Sequence, residues 1–282
     1  MAGREARTYN RKPYKRKLFD PASKEPFRLS RSKVDLFVEC PRCGYLDLRL
    51  GITRPSMPGF TLNIAVDHLL KKEFDTYRAA GTAHPLMKRY KIDALPFQHE
   101  KLNTWRTNFT GVERHHAKTN LNFFGAVDDV WVNPAGELLI VDYKATSKKD
   151  PINLDEGWGP QYKRQMEFYQ WLLRGNGFSV SDTGYFVYAN GIKDREAFNE
   201  KLEFNVEVIP YTGSEGWIEE TIQRLHRCLL AEEIPEAGER CEYCPYREGA
   251  GKALLAVHQS GRAKQGKVTP KETKEEATRP LF

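Results

Sequence analysis

Apolar and polar positions along the chain follow two different periods. In some segments the apolar residues recur every three or four positions, as in amphipathic helices, whereas others are runs rich in valine, isoleucine and aromatic residues, as in strands. The predicted helices cover residues 31–38, 59–77, 156–173 and 215–230. The predicted strands cover residues 123–132, 138–145, 183–188 and 202–209. This mixed order of strands and helices predicts an α/β core.

The first two predicted strands form a hairpin around a short turn at residues 133–137. Pro134 suits the first position of a type I turn, and Gly136 suits the left-handed residue that closes a three-residue loop. This turn places Asn133 opposite Glu137. Counting outward from there, the predicted pairs are Val132 with Leu138, Val130 with Ile140, and Asp128 with Asp142.

Three charged residues then converge on one face of the hairpin. Lys144 shares the face of Asp142, because side chains alternate along a strand, and Asp128 faces Asp142 across the pair. Directly opposed carboxylates repel each other, so a cation is expected between them. Such carboxylates are ligands for a hard divalent ion, and a nearby lysine can orient a nucleophile. The alternative is an ordinary hairpin whose charges point to water.

Three short motifs along this region resemble those of a known family. GAVDDV at residues 125–130 and IVDYK at 140–144 resemble the two catalytic motifs of the PD-(D/E)XK nucleases. QMEFY at 165–169 resembles the glutamine-tyrosine motif of the RecB-like branch, which includes the CRISPR-associated exonucleases. The resemblance implies a restriction-endonuclease-like fold, a mixed sheet flanked by helices. It also implies a metal-dependent nuclease acting on DNA.

The resemblance implies the following metal ligands in this chain. Asp128, Asp142 and the main-chain carbonyl of Tyr143 are expected to hold one or two Mg²⁺ or Mn²⁺ ions. Asp129 is the alternative ligand if the hairpin register is shifted by one residue.

The resemblance also assigns roles around the metal. Lys144 is expected to position or deprotonate the attacking water and to balance charge in the transition state. Gln165 and Tyr169, one turn apart on the next helix, are expected to arrange this lysine and the DNA strand that enters the site.

The helix predicted at residues 59–77 is a further source of ligands. Its predicted core-facing stripe consists of Leu62, Ala65, Val66, Leu69, Leu70 and Phe74. The family often carries a histidine ligand here, and His68 is the only histidine on this helix. Alignment on the acid instead places Asn63 and Asp67 at the family positions, and a lone histidine on a helix is more often a surface residue. His115 and His116, in a strand before the hairpin, are not expected to bind metal.

The cysteines form two Cys-x-x-Cys pairs, Cys40 with Cys43 and Cys241 with Cys244, and such pairs are typical of metal ligation in a reducing compartment. A four-cysteine metal centre is therefore expected to join the N- and C-terminal parts. RecB-like relatives often hold a 4Fe-4S cluster with one N-terminal and three C-terminal cysteines. Ala250 stands where the third C-terminal ligand is expected, so Cys43 is the candidate replacement. Zinc held by four thiolates is the alternative.

The net charge of +6 over 282 residues is unevenly distributed. Residues 1–33 carry +8 and residues 252–282 carry +4, which leaves −6 for the residues between them. The predicted organisation is a basic tail at 1–28, a nuclease domain at 29–258 and a disordered tail at 259–282. Basic tails can contact phosphates or only improve solubility. Within the first tail, docking of apolar residues on the domain is favoured, through Leu18, Phe19 and Phe27.

The expected protein is a cytoplasmic DNA nuclease, with exonuclease action favoured. No apolar run approaches the ~20 residues that a membrane span needs. Single-stranded or duplex DNA ends are the expected partner, in recombination, repair or CRISPR-related processing. The chain lacks a Walker loop, so unwinding would need a helicase partner. Two alternatives are a non-catalytic nucleic-acid-binding module and a zinc-stabilised adaptor.

Overall fold

The structure of the protein is a computed structural model that describes residues 17–56 and 58–265, with side chains up to Ser260. The helices are α1 (Arg31–Glu39), α2 (Pro41–Leu50), α3 (Thr61–Ala80), α4 (Pro85–Arg89), α5 (Leu102–Trp105), α6 (Gly159–Arg174), α7 (Gly216–Leu230) and α8 (Tyr243–Gln265). The strands are β1 (Phe27–Ser30), β2 (Leu95–Pro96), β3 (Val112–His116), β4 (Leu121–Gly125), β5 (Asp129–Val132), β6 (Leu138–Thr146), β7 (Thr183–Gly191) and β8 (Phe204–Thr212). The chain divides into two compact units after Gly238.

The first unit contains two sheets with helices packed against them. The larger sheet has the order β2-β5-β6-β7-β8, in which β6 and β7 run parallel and the other neighbours are antiparallel. The smaller sheet has the order β1-β4-β3, with β1 parallel to β4. The predicted mixed α/β fold is thus confirmed. Among the described residues no helix is long and apolar enough to cross a membrane.

The β5–β6 hairpin has the register that its turn predicts. Val132 pairs with Leu138, and Val130 pairs with Ile140. The Asn133 N–H donates a 3.1 Å hydrogen bond to the carbonyl oxygen of Glu137. Gly136 closes the loop at a φ of 79°, a conformation that side chains other than glycine rarely adopt.

Strand β6 is buried on both faces, and its alternating side chains enter two separate hydrophobic clusters. Leu138 and Ile140 face the cluster that includes Met166 and Phe168 of α6. Leu139 and Val141 face the cluster that includes Phe74 of α3. Since α3 and α6 cover opposite faces of this sheet, polar side chains on β6 are enclosed unless they lie near its C-terminal end.

Helix α3 differs from its predicted stripe. Leu70 and Phe74 are buried as expected, but Leu62 is 72% exposed and Leu69 is 62% exposed. Ala65 is exposed as well, so the prediction was wrong for these three residues. Leu62 lies beside a groove rather than over the core, and the polar Arg78 is buried instead.

The structure describes part of each predicted tail. Phe19 and Phe27 are buried, with ring centroids 5.4 Å apart, so the predicted docking of these two is confirmed. Leu18, the third residue of that prediction, is 37% exposed. Residues 1–16 and 266–282 lie outside the described residues. In the second unit, α8 continues to Gln265, past residue 259 where the disordered tail was expected to begin. Residues 262–265 are arginine, alanine, lysine and glutamine, which all have high helix propensity.

Candidate active site

The β5–β6 hairpin brings Asp128, Asp142 and Lys144 together. Asp128 directly precedes β5, whereas Asp142 and Lys144 lie in β6. The Tyr143 N–H donates a 3.1 Å hydrogen bond to Asp128 Oδ2, which holds that side chain beside β6. The Lys144 ammonium forms an ion pair with Asp142 Oδ2. These three charged groups therefore share one face, as the strand alternation predicts.

Helix α3 adds two charged residues to this cluster. Lys71 Nζ lies 2.8 Å from Asp67 Oδ2 and 3.0 Å from Asp128 Oδ1. Sequence reasoning missed Lys71, although its spacing of four residues from Asp67 is the spacing of helical ion pairs. A cavity of about 290 Å³ opens here, and it is lined by Asp67, Asp128, Tyr143 and Lys144 among others.

Burial and facing charges shift the pKa values of the two aspartates in opposite directions. Burial raises the pKa of Asp142 to about 7, and the Asp128 carboxylate adds to this increase against the opposing effect of Lys144. Burial acts in the same direction on Asp128, but the charges of Lys71 and Lys144 outweigh it and lower its pKa. The pKa of Lys144 is raised, because the two aspartates outweigh the effect of burial. The cluster therefore has a strong need for compensating positive charge.

Helix α6 supplies the residues that orient this cluster. Gln165 Nε2 donates hydrogen bonds of 3.0 Å to Asp142 Oδ1 and 3.1 Å to the Tyr169 hydroxyl. Lys144 Nζ lies 4.4 Å from the centroid of the Tyr162 ring, a cation–π contact. A side-chain Cβ at Gly125 would lie 2.6 Å from the Tyr169 ring, so glycine allows α6 to approach β4. The glutamine and tyrosine of the QMEFY motif thus lie next to the hairpin carboxylates.

His68, the histidine considered as a metal ligand, lies outside the lining of the carboxylate cavity. His68 is exposed and does not line the 290 Å³ cavity, whereas Asp67 does. Asn63 also lines the cavity and donates a 2.9 Å hydrogen bond to the Ala145 carbonyl oxygen. His116 interacts with Glu219, away from the hairpin.

Asp129 projects to the opposite face of β5 from Asp128. Its carboxylate accepts hydrogen bonds from Arg78, from Arg106 at 2.7 Å and from the Tyr143 hydroxyl at 2.7 Å. Asp129 is completely buried, and these donors balance its charge. The register is not shifted, so the condition under which Asp129 was the alternative ligand does not arise.

The donor atoms of the cluster suit a hard divalent cation. Asp67, Asp128 and Asp142 offer carboxylate oxygens, the ligands that Mg²⁺ and Mn²⁺ prefer. Asp67 Oδ1 is buried without a hydrogen-bond partner in the described part of the chain. Lys71 and Lys144 already contribute positive charge between these carboxylates. The residues present therefore fit a divalent metal.

Four cysteines form a second candidate metal site. Cys40, Cys43, Cys241 and Cys244 are buried, and their Sγ atoms all lie within 4.8 Å of one another. The predicted grouping of the two Cys-x-x-Cys pairs is confirmed. Four sulfur ligands suit zinc or an iron-sulfur cluster rather than a hard cation.

Comparison with known protein families agrees with the hairpin geometry. The family model of the PD-(D/E)XK nuclease superfamily matches residues 63–248, about two thirds of the chain. The match begins in α3 and ends in α8, so it includes the hairpin and α6. No curated protein matches the chain. The chain belongs to the PD-(D/E)XK nuclease superfamily.

Proposed function

We propose that the protein is a divalent-metal-dependent deoxyribonuclease that hydrolyses phosphodiester bonds at DNA ends. The observation that carries this proposal is the convergence of Asp128, Asp142 and Lys144 on one face of the β5–β6 hairpin. Membership of a nuclease superfamily supports hydrolysis of a nucleic acid. The choice of DNA, and of exonuclease action, rests on the resemblance of the QMEFY motif to the RecB-like branch.

The metal ligands that we propose are Asp128, Asp142 and the Tyr143 carbonyl oxygen. We add Asp67, which lines the same cavity, and we place His68 outside the ligand set because it is exposed. When bound, Mg²⁺ or Mn²⁺ acts as a Lewis acid toward the scissile phosphate and lowers the pKa of a bound water.

The other residues act by binding and orientation. Lys144 holds the attacking water by hydrogen bonding and balances the negative charge that develops on the phosphate. Gln165 bonds Asp142 and Tyr169, which fixes the direction of the carboxylate. Lys71 bridges Asp67 and Asp128 and reduces their repulsion until the cation binds.

We also propose that the four cysteines hold a 4Fe-4S cluster, with Zn²⁺ as the alternative. The sulfur donors suit either group, and the preference for iron rests on the likeness of CEYCPY to the RecB-like relatives. The wider setting that we propose is the cytoplasm, in recombination, repair or CRISPR-related processing with a helicase or another DNA-processing protein.

Digestion of end-labelled DNA tests the proposed activity. Single-stranded and blunt duplex substrates, labelled at the 5′ or the 3′ end, are incubated with Mg²⁺, with Mn²⁺ or with EDTA. We expect metal-dependent release of short labelled products from one end, and none in EDTA. Products cut only at internal positions would exclude exonuclease action, and an intact substrate under all conditions would exclude the nuclease.

A further inference from the structure

A second groove, of about 690 Å³, lies next to the carboxylate cavity. The two share several lining residues, so they form one continuous surface. The shared residues are Phe60, Asn63, Val66, Ala145 and Tyr162. The groove also reaches Gln165, which bonds Asp142. The carboxylate cavity therefore opens directly into this groove.

The groove lining is largely apolar and aromatic, and several of these side chains are exposed to solvent. Phe60 is 64% exposed, and Trp158 is 57% exposed. Leu62, which lies in α3 and lines the groove, is also exposed. Arg31 carries the single formal charge among the described residues that line the groove. Isolated exposed aromatic residues are common, but here two of them line one concave surface. This surface is next to the cavity that contains Asp128 and Lys144.

Building on the nuclease function, we propose that this groove binds the unpaired bases of the strand whose backbone reaches Asp142 and Lys144. Trp158 and Phe60 are the surfaces on which the bases stack. Aromatic side chains bind the flat faces of all four bases, so stacking requires no particular sequence. A duplex keeps these faces stacked on neighbouring base pairs, and only an unpaired strand presents them. Arg31 is placed to interact with a phosphate of the same strand.

Fluorescence anisotropy with a fluorescein-labelled 15-nucleotide single strand of mixed sequence tests this proposal. Binding is measured in Ca²⁺, and the recovered oligonucleotide is sized on a gel, so that affinity is measured whether or not cleavage occurs. We expect Trp158→Ala and Phe60→Ala each to weaken binding by about tenfold, within the range measured for single stacking contacts. Trp158→Phe, which retains a stacking ring, is expected to recover most of the affinity.

Two controls separate stacking from charge and from misfolding. Phe109→Ala removes an aromatic side chain that is 84% exposed and lies outside the groove, and it is expected to leave the affinity unchanged. An oligonucleotide with a run of abasic sites keeps its phosphates but has no base faces. The parent protein is expected to bind it more weakly, and Trp158→Ala is expected to cause no further loss.

Parental affinity in both alanine variants would overturn the proposal. An equal loss on the normal and abasic strands would also overturn it, because the groove would then contact the backbone or an unrelated apolar partner. Failure of the nuclease function is detected separately, as intact substrate in the Mg²⁺ digestion. Stacking-dependent binding of a strand that is never cut would show that the groove binds nucleic acid and that the hairpin has no hydrolytic activity.

Discussion

Two adjacent aspartates, Asp128 and Asp129, occupy chemically different surroundings. Asp128 lies on the open side of the hairpin and shares Lys71 with Asp67. Asp129 is completely buried on the other face, against two arginines and the Tyr143 hydroxyl. The alternation of side chains along β5 separates them, so we assign Asp128 to the reaction and Asp129 to the stability of the hairpin.

The matched variants Asp129→Asn and Asp128→Asn test this division. Asp129→Asn removes the carboxylate that pairs with Arg78 and Arg106. Breaking a buried ion pair in this way lowers the free energy of unfolding by about 3–5 kcal/mol. Asp128→Asn leaves Lys71 paired with Asp67 and Lys144 paired with Asp142, so its cost is expected to be smaller by at least about 2 kcal/mol. Urea denaturation in EDTA measures both, and equal losses would contradict the assignment.

Asp142 gives a prediction on pH dependence for the metal-free protein. Burial raises its pKa to about 7 in the folded state, whereas the pKa of an unfolded aspartate is about 3.9. The unfolded chain therefore releases this proton first, and folding loses stability as the pH rises from about 4 to about 7. Asp142→Asn removes this cost. In EDTA, the free energy of unfolding of the variant relative to the parent is expected to increase across this range, and a difference independent of pH would contradict the prediction.

At the scale of elements, the hairpin was predictable and the position of α3 was not. The register follows from local turn chemistry, namely Pro134 and a glycine at positive φ, and it extends outward by counting. Lys71 reaches Asp128 because α3 packs against the sheet at that point. This contact joins residues far apart in sequence, so the spacing of apolar residues along the chain does not predict it. The face of α3 that carries Leu70 and Phe74 packs in the core, so Leu62 and Leu69 are exposed although they fit a helical stripe.

The packing of β4 against α6 provides a test at this scale. Gly125→Ala would place Cβ 2.6 Å from the Tyr169 ring, and the ring or the helix must shift to accommodate it. Overpacking of this kind costs about 1–3 kcal/mol, and we expect cleavage to fall as well because Gln165 and Tyr169 move together. Gly249→Ala is the control, since a Cβ there meets nothing within 4 Å. Thermal unfolding and cleavage rates measure both effects, and parental values for Gly125→Ala would contradict this role of the glycine.

At the scale of the whole molecule, the four-cysteine group combines two Cys-x-x-Cys pairs that are about 200 residues apart in sequence. Their Cys-x-x-Cys spacing predicted the grouping, because paired thiols at that spacing are typical of metal ligands. The identity of the bound group was not predictable, because four thiolates serve both zinc and iron. The extension of α8 was also missed, because helix propensity without an apolar stripe gives a weak signal.

Metal analysis of protein purified without oxygen tests the cysteine site. We expect about one Zn²⁺, or four iron atoms with matching sulfide, per chain. Cys43→Ser and Cys241→Ser are each expected to lose this metal and to lower the unfolding temperature, since metal binding to the folded state adds to stability. Cys228→Ser, outside the group of four, is the control. A metal content and stability that neither serine variant changes would exclude the centre.

The most direct test of the proposed nuclease compares cleavage by the parent with cleavage by Lys144→Ala and Asp142→Asn. End-labelled single-stranded DNA is mixed with excess protein in Mg²⁺, and the first-turnover rate is measured on folded protein, as judged by circular dichroism. Lys144 and Asp142 lie at the point where the hairpin charges converge, so we expect each variant to lose at least about 100-fold in rate, the scale of a lost electrostatic catalytic group. Parental cleavage rates in either folded variant would contradict a mechanism centred on this hairpin.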